Sequence, residues 1–201
     1  MNNKLIIIGG GGHGKVAVDI AKNYYKNIVI ADDSKSGEVL SCKIIGGVQD
    51  ALKGEKCDFF VAIGNNKVRE QIFNTFVENG FNAVSLIHPS VILAEDVEIG
   101  RGTIVMAGVV INPSVKIGIG CIVNTCSSVD HDCVIDNFTH LCPNTHFAGT
   151  VSVGKYCTFG IGTQVINNIN ICDNACFGAG AVVVKDIVAE GTYIGVPAKI
   201  K

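Results

Sequence analysis

IGRGTIVMAGVVINPSVKIGIGCIVNTCSSVDHDCVI, residues 99–135, carries an aliphatic side chain at every sixth position: Ile99, Val105, Ile111, Ile117, Val123, Val129 and Ile135. The series extends backwards to Leu93 and Ile87 and forwards through Leu141, Phe147, Val153, Phe159, Val165, Ile171, Phe177 and Val183 without a failure. In a chain that is 48% apolar, seventeen successive hits arise by chance on the order of once in 10^4 to 10^5, with all six phases allowed. The period is therefore a structural signal. It matches neither the three-and-four spacing of a helix nor the alternation of an ordinary strand. A parallel β-helix satisfies it. Each hexapeptide forms one flat face of a triangular prism, the sixth-position side chain points to the axis, and three hexapeptides close a coil. Roughly five coils stacked at about 4.8 Å give a prism about 25 Å long.

The residue two before each inward position is also restricted: Val91, Val97, Thr103, Val109, Val115, Cys121, Ser127, Cys133, Thr139, Thr145, Val151, Cys157, Thr163, Ile169, Ala175 and Ala181. These small or β-branched side chains suit a chain packed close to a corner. Glycines directly after the inward residue, at 100, 118, 154, 160 and 178, are expected to supply turns of positive φ.

The repeat occupies only part of the 201 residues, so two domains are expected, 1–85 and 86–201. Net charge is −2 and 17% of residues are charged, with no basic run of the kind that binds nucleic acid. The four apolar residues after Lys4 are too few for a signal-peptide core, and no stretch approaches a membrane span. The reading is a soluble, cytoplasmic protein with no nucleic-acid or membrane partner. Nine cysteines without a C-x-x-C pair suit a reducing compartment. Cys121, Cys133 and Cys157 fall on corner positions and read as small buried hydrophobes, and no spacing suggests a metal site.

Before the repeat, strands are expected at Leu5–Ile8, Ile28–Ala31 and Phe59–Ile63, with helices at about Val16–Tyr25 and Val68–Asn79. This βαβαβ alternation implies a parallel sheet. Gly9-Gly10-Gly11-Gly12-His13-Gly14-Lys15 follows the first strand, and Asp32 ends the second. The spacing formally satisfies a dinucleotide fingerprint, but fewer than ninety residues leave room for only one mononucleotide half. A P-loop fails because Val16 stands where a magnesium-binding hydroxyl is needed. A phosphate site at a helix N-terminus, for a nucleotide or nucleotide-sugar, remains against a bare βα turn.

Three of the five histidines, His131, His140 and His146, lie close together in the repeat, none at an inward position. His131 is followed directly by Asp132. A carboxylate beside a histidine fixes its tautomer and raises its basicity, as a general base requires. The competing reading is a solvent-facing histidine at a prism edge, since neighbours on a strand point to opposite sides.

Ile8-Gly9-Gly10-Gly11-Gly12-His13-Gly14, Ala62-Ile63-Gly64-Asn65-Asn66, Ile87-His88-Pro89-Ser90, Ser128-Val129-Asp130-His131-Asp132-Cys133 and Gly195-Val196-Pro197-Ala198-Lys199 carry a family likeness over nearly the whole chain. The combination resembles the left-handed parallel β-helix (hexapeptide-repeat) acyltransferases with an N-terminal α/β Rossmann-like domain, the group of sialic acid O-acetyltransferases and UDP-4-amino-sugar N-acetyltransferases. The resemblance implies a homotrimer with active sites at subunit seams, acetyl-CoA between adjacent prisms and the sugar nucleotide on the N-terminal domain. His131 matches the family's general base and Asp132 its orienting carboxylate, where the amino-sugar enzymes often carry the longer Glu. His140 matches a contact on the acetyl-donor side, Asn124 one to the acceptor, and the Gly149 N–H a donor to the thioester carbonyl. Gly12, His13, Asp32, Asp33 and Lys35 lie where the family binds its nucleotide, and Ala179 stands where some relatives have a glycine beside CoA. The implied function is acetyl-CoA-dependent N-acetylation of a UDP-4-amino-4,6-dideoxy-hexose, without a metal. O-acetylation of sialic acid or a related sugar, and a catalytically silent sugar-nucleotide-binding trimer, are the alternatives.

Overall fold

The computed structural model describes residues 4–201, so the start of the chain used in the signal-peptide reading lies outside the described residues. The chain divides into two compact units, one ending at Leu86 and the other running Ile87–Lys201.

In the first unit the elements run β1 (Lys4–Ile8), α1 (Gly12–Ala21), β2 (Asn27–Ala31), a hairpin of β3 (Glu38–Val39) and β4 (Cys42–Lys43), α2 (Val48–Leu52), β5 (Asp58–Val61), α3 (Asn66–Glu78) and β6 (Asn82–Ala83). The sheet is parallel in the order β2-β1-β5-β6. β1 is central, and its residues Leu5–Ile8 are all at most 1% exposed, as a parallel strand covered on both faces must be. Phe59, Phe73, Phe76 and Phe81 seal one side; the Phe76–Phe81 and Phe59–Phe76 centroids are 4.9 and 5.0 Å apart. Helix α1 begins inside the glycine run, four residues before the expected start, and ends at Ala21 and not Tyr25. Glycine has low helix propensity, yet the helix runs through Gly12 and Gly14, and at Gly14 the close approach leaves no room for another residue: a Cβ there would meet the Gly9 carbonyl.

The second unit is a parallel β-helix with three faces. The first face stacks Ile104–Val105, Ile122–Val123, His140–Leu141, Thr158–Phe159 and Ala175–Phe177. The second stacks six rungs, from Ile92–Leu93 through Ser128–Val129 to Val182–Val183, and the third five, from Glu98–Ile99 to Asn170–Ile171. The stack is thus slightly longer than the five coils expected. From Val105 to Val183 every inward residue is buried, and Phe159, Phe177 and Tyr193 stack along the axis with centroids 4.7 and 5.6 Å apart. The first inward residues are less enclosed, Leu93 being 38% exposed, because within this unit a coil covers them on one side only.

The corner residues do more than fit. Thr103, Ser127, Thr139 and Thr163 donate their hydroxyls, and Cys121, Cys133 and Cys157 their thiols, each to a carbonyl fifteen residues ahead. Several also accept the N–H eighteen residues ahead, as Thr139 Oγ1 does from Cys157 at 3.1 Å. Small polar side chains thereby satisfy backbone groups where the ladders break at the prism edge. Among the described residues no cysteine forms a disulfide.

The expected role of the glycines after the inward residues is corrected. None of Gly100, Gly118, Gly154, Gly160 and Gly178 has positive φ. A Cβ on Gly100 would lie 2.5 Å from the Gly118 carbonyl carbon, and one on Gly160 2.7 Å from the Ala179 nitrogen. Contact between stacked coils, and not turn geometry, requires glycine there. Positive φ falls three residues after the inward position, at every sixth residue from Gly102 to Gly180, including Asp132 at +60° and Asn144 at +57°.

Candidate active site

The turn after Ser128–Val129 carries Asp130, His131 and Asp132 on the edge between the second and third faces. In the left-handed conformation of Asp132 its side chain does not alternate away from its neighbour as in a strand. Its Oδ2 lies 2.8 Å from His131 Nδ1, so the aspartate reaches the imidazole without the extra methylene of glutamate. Both side chains are more than half exposed. The hydrogen bond to Asp132 raises the His131 pKa above the ordinary histidine value; slight desolvation opposes it, and the charges of Asp130 and Asp132 add to it.

Gly149 lies one coil further on. A Cβ there would stand 2.5 Å from His131 Cε1 and Nε2, so the ring rests on bare backbone. The Gly149 carbonyl accepts from Asn168 N–H (3.1 Å), while its own N–H has no acceptor among the described residues. A contact absent from the sequence reading supports the turn from the preceding coil: Asn112 Nδ2 donates to Asp130 Oδ1 at 2.8 Å, and the same oxygen accepts the His131 N–H at 2.8 Å. The eighteen-residue spacing of 112 and 130 was its only trace in the sequence.

The other residues singled out through the resemblance, His140, Asn124 and Ala179, lie elsewhere on the prism. His140 is on the first face, with Nε2 3.8 Å from Cys142 Sγ. Asn124 and exposed Ala179 belong to turns between the first and second faces. His146 is fixed on the second face by Ser128 Oγ at 2.8 Å. One chain therefore brings His131, Asp132 and Gly149 together but not His140, Asn124 or Ala179 with them. Among the described residues no group of three or more His, Cys, Asp or Glu could hold a metal ion.

In the first unit, the carboxyl ends of β1 and β5 meet where the strand order reverses, the usual ligand position of an open parallel sheet. Helix α1 opens there with Gly11 as N-cap and no side chain capping it, leaving first-turn N–H groups for an anion. Gly9 is held at φ +105° and Gly14 packs on it, but a Cβ on Gly11 or Gly12 would touch nothing within 4 Å. His13 is largely buried beside Phe60, its Nε2 has no hydrogen-bond partner among the described residues, and desolvation followed by the Arg69 charge pushes its pKa down to about 4. Asp32 Oδ2 accepts the Gly10 N–H (2.7 Å), Oδ1 accepts from Ser34, and Lys35 Nζ donates to the Gly10 carbonyl (2.7 Å). Burial pushes the Asp32 carboxyl up, but the hydrogen bonds from Gly10, Ser34 and Lys35 outweigh it and hold it below its usual range. Asp33 accepts the Val48 N–H at the start of α2 (2.9 Å). A groove of about 260 Å³ runs from Asp32, Asp33 and Ser34 to Ile63, Val68 and Ile72.

A hexapeptide prism with a histidine–carboxylate edge, joined in one chain to a Rossmann-like unit whose first helix opens on an uncapped glycine run, has the make-up of a sugar acyltransferase of the left-handed β-helix class. The PglD N-terminal domain family matches residues 4–76. The acetyltransferase domain of PglB from Neisseria gonorrhoeae FA1090, solved with acetyl coenzyme A, is 37% identical; the match covers 100% of both chains with a TM-score of 0.97. PerB from Caulobacter crescentus, solved with CoA and GDP-perosamine, is 38% identical over 98% of this chain and 97% of that one, with a TM-score of 0.92. GDP-perosamine N-acetyltransferase of Escherichia coli O157:H7 is 27% identical over 94% of this chain and 81% of its own length. The chain belongs to the left-handed β-helix family of amino-sugar N-acetyltransferases and sialic acid O-acetyltransferases.

Proposed function

We propose that this protein transfers the acetyl group of acetyl-CoA to the amine of a nucleotide-activated amino sugar, a 4-amino-4,6-dideoxy-hexose, with His131 as general base. The carrying observation is the imidazole held by Asp132 at Nδ1 and seated on Gly149, which leaves Nε2 for the acceptor. The amine attacks the thioester carbonyl, forming the C–N bond, and His131 Nε2 takes the amine proton. The Gly149 N–H stabilises the oxyanion, the C–S bond breaks, and the proton passes to the departing CoA sulfur. Asp132 stabilises the imidazolium in between. Relatives named for N-acetylation of a GDP-linked sugar, one solved with CoA and GDP-perosamine, support the amine over the hydroxyl. A GDP-linked acceptor therefore stands beside the UDP-linked one.

The sugar nucleotide is read onto the first unit. Gly11 and Gly12 require glycine neither for packing nor for positive φ, so the space beside them suits a diphosphate approaching the α1 N-terminus, with the unpartnered His13 Nε2 nearby. A homotrimer is part of the same reading, because His131 and His140 lie on different sides of one prism and an acyl donor touching both needs a seam between copies. Titration calorimetry tests the assignment: UDP- or GDP-linked amino sugar binds and NAD does not, whereas NAD binding without either sugar nucleotide overturns it.

A further inference from the structure

We propose that Asp130 is a second carboxylate of this catalytic centre, a positioning residue that fixes the backbone of His131 and adds negative charge beside its imidazole. The inference rests on the reading of His131 as general base. Asp130 Oδ1 accepts both the His131 N–H and Asn112 Nδ2, each at 2.8 Å, so the carboxylate is clamped from its own turn and from the preceding coil. The first bond alone is a common turn device in this coil. Asn124 Oδ1 accepts the Thr125 N–H at 2.8 Å and Asp136 Oδ1 the Asn137 N–H at 2.7 Å.

Position 124 thus does with a neutral amide what position 130 does with a carboxylate. Closing the turn does not require the charge, and Asp136 carries one with no imidazole beside it; what sets Asp130 apart is the clamp from Asn112 and the adjacent His131 ring, on which its charge acts. The preceding coil presents Asn112, Pro113 and Ser114 to this edge and the following coil Ala148, Gly149 and Thr150, none of them acidic or basic. Among the described residues, Asp130 and Asp132 are the charged groups that bear on His131, and both favour its protonated form. A base flanked by two carboxylates stabilises the imidazolium formed as the amine loses its proton.

Asp130→Asn leaves an acceptor oxygen for both hydrogen bonds and removes only the charge, while Asp130→Ala removes both. NMR titration of the His131 ring, assigned with His131→Ala, and pH profiles of kcat/KM read the two effects. In Asp130→Asn the His131 midpoint and the acid limb of the profile should move to lower pH by about half a unit, the scale of losing one nearby solvent-exposed charge. Turnover at alkaline pH should fall by up to about threefold, the share of imidazolium stabilisation that half a unit represents. Asp130→Ala should show the same shift and a further fall in kcat of about tenfold from the loosened turn. An unchanged His131 midpoint in Asp130→Asn overturns the proposal and reduces Asp130 to a turn-closing residue. Near-full turnover by His131→Ala instead overturns the general-base reading, and the ring titration still reports the Asp130 charge independently.

Discussion

His131 shows what one residue's conformation contributes. The sequence placed a carboxylate beside the histidine but left open whether the two side chains meet, because that depends on whether Asp132 is in strand or turn. Its φ of +60° and the 2.8 Å contact answer the question, and the shorter aspartate makes the bond. His131→Ala should lower kcat by about 10^2 to 10^4, and Asp132→Asn by less, with acetyl-CoA affinity nearly unchanged in steady-state and binding assays. The sign of the pH dependence follows from the raised His131 pKa: the base works when neutral, so activity should climb with pH through a midpoint above the ordinary histidine value of about 6.5. A profile already flat below that value would contradict the role. Gly149→Ala should reduce turnover by about 10^2 by displacing the ring, while circular dichroism shows the fold retained. The sequence named Gly149 through a resemblance; its contact with His131 one coil away is a three-dimensional fact that the eighteen-residue spacing encodes only once three hexapeptides are known to close a coil.

Among the elements, the inward and corner columns were legible because burial imposes a period that composition cannot hide. What hydrogen bonds the corners make was not, since Thr, Ser and Cys are chosen alike for small size and for a donor. Thr139 separates the two demands: its hydroxyl donates to Gly154 O and accepts from Cys157 N–H. Thr139→Val keeps the shape and strands both backbone groups, and should cost about 2–4 kcal/mol in denaturant unfolding. A neutral effect would mean that size alone selects these residues. The same ambiguity hid the start of α1, where glycine's poor propensity masked a helix begun by packing at Gly14. Gly12→Ala tests why that run is so long. With nothing within 4 Å of the added carbon, unfolding should be unchanged, while sugar-nucleotide affinity should fall about tenfold or more; unaltered affinity would leave a bare βα turn.

For the whole molecule, the two-unit organisation was readable from where the period begins, whereas the separation of His131 from His140 on one prism required the coil register. Light scattering should return three times the 21.1 kDa subunit mass, and a stable monomer would leave His140 and Ala179 without the partner edge that the proposal requires. The proposed reaction uses both units, with the nucleotide-linked sugar assigned to the first and acetyl transfer to the second. An unprotonated amine attacks a thioester far more readily than a neutral hydroxyl, and one imidazole with backbone donors suits nitrogen best. The most direct measurement is acetyl-CoA turnover with matched 4-amino and 4-hydroxy sugar nucleotides, in GDP- and UDP-linked forms, followed by thiol release and mass spectrometry. The expected result is one acetyl group on the amino sugar, one CoA thiol released per transfer, a product stable to mild base, and a preference over the hydroxy analogue of orders of magnitude. A base-labile ester on a sugar hydroxyl as the faster product, or no thiol release with any amino-sugar nucleotide, would contradict it.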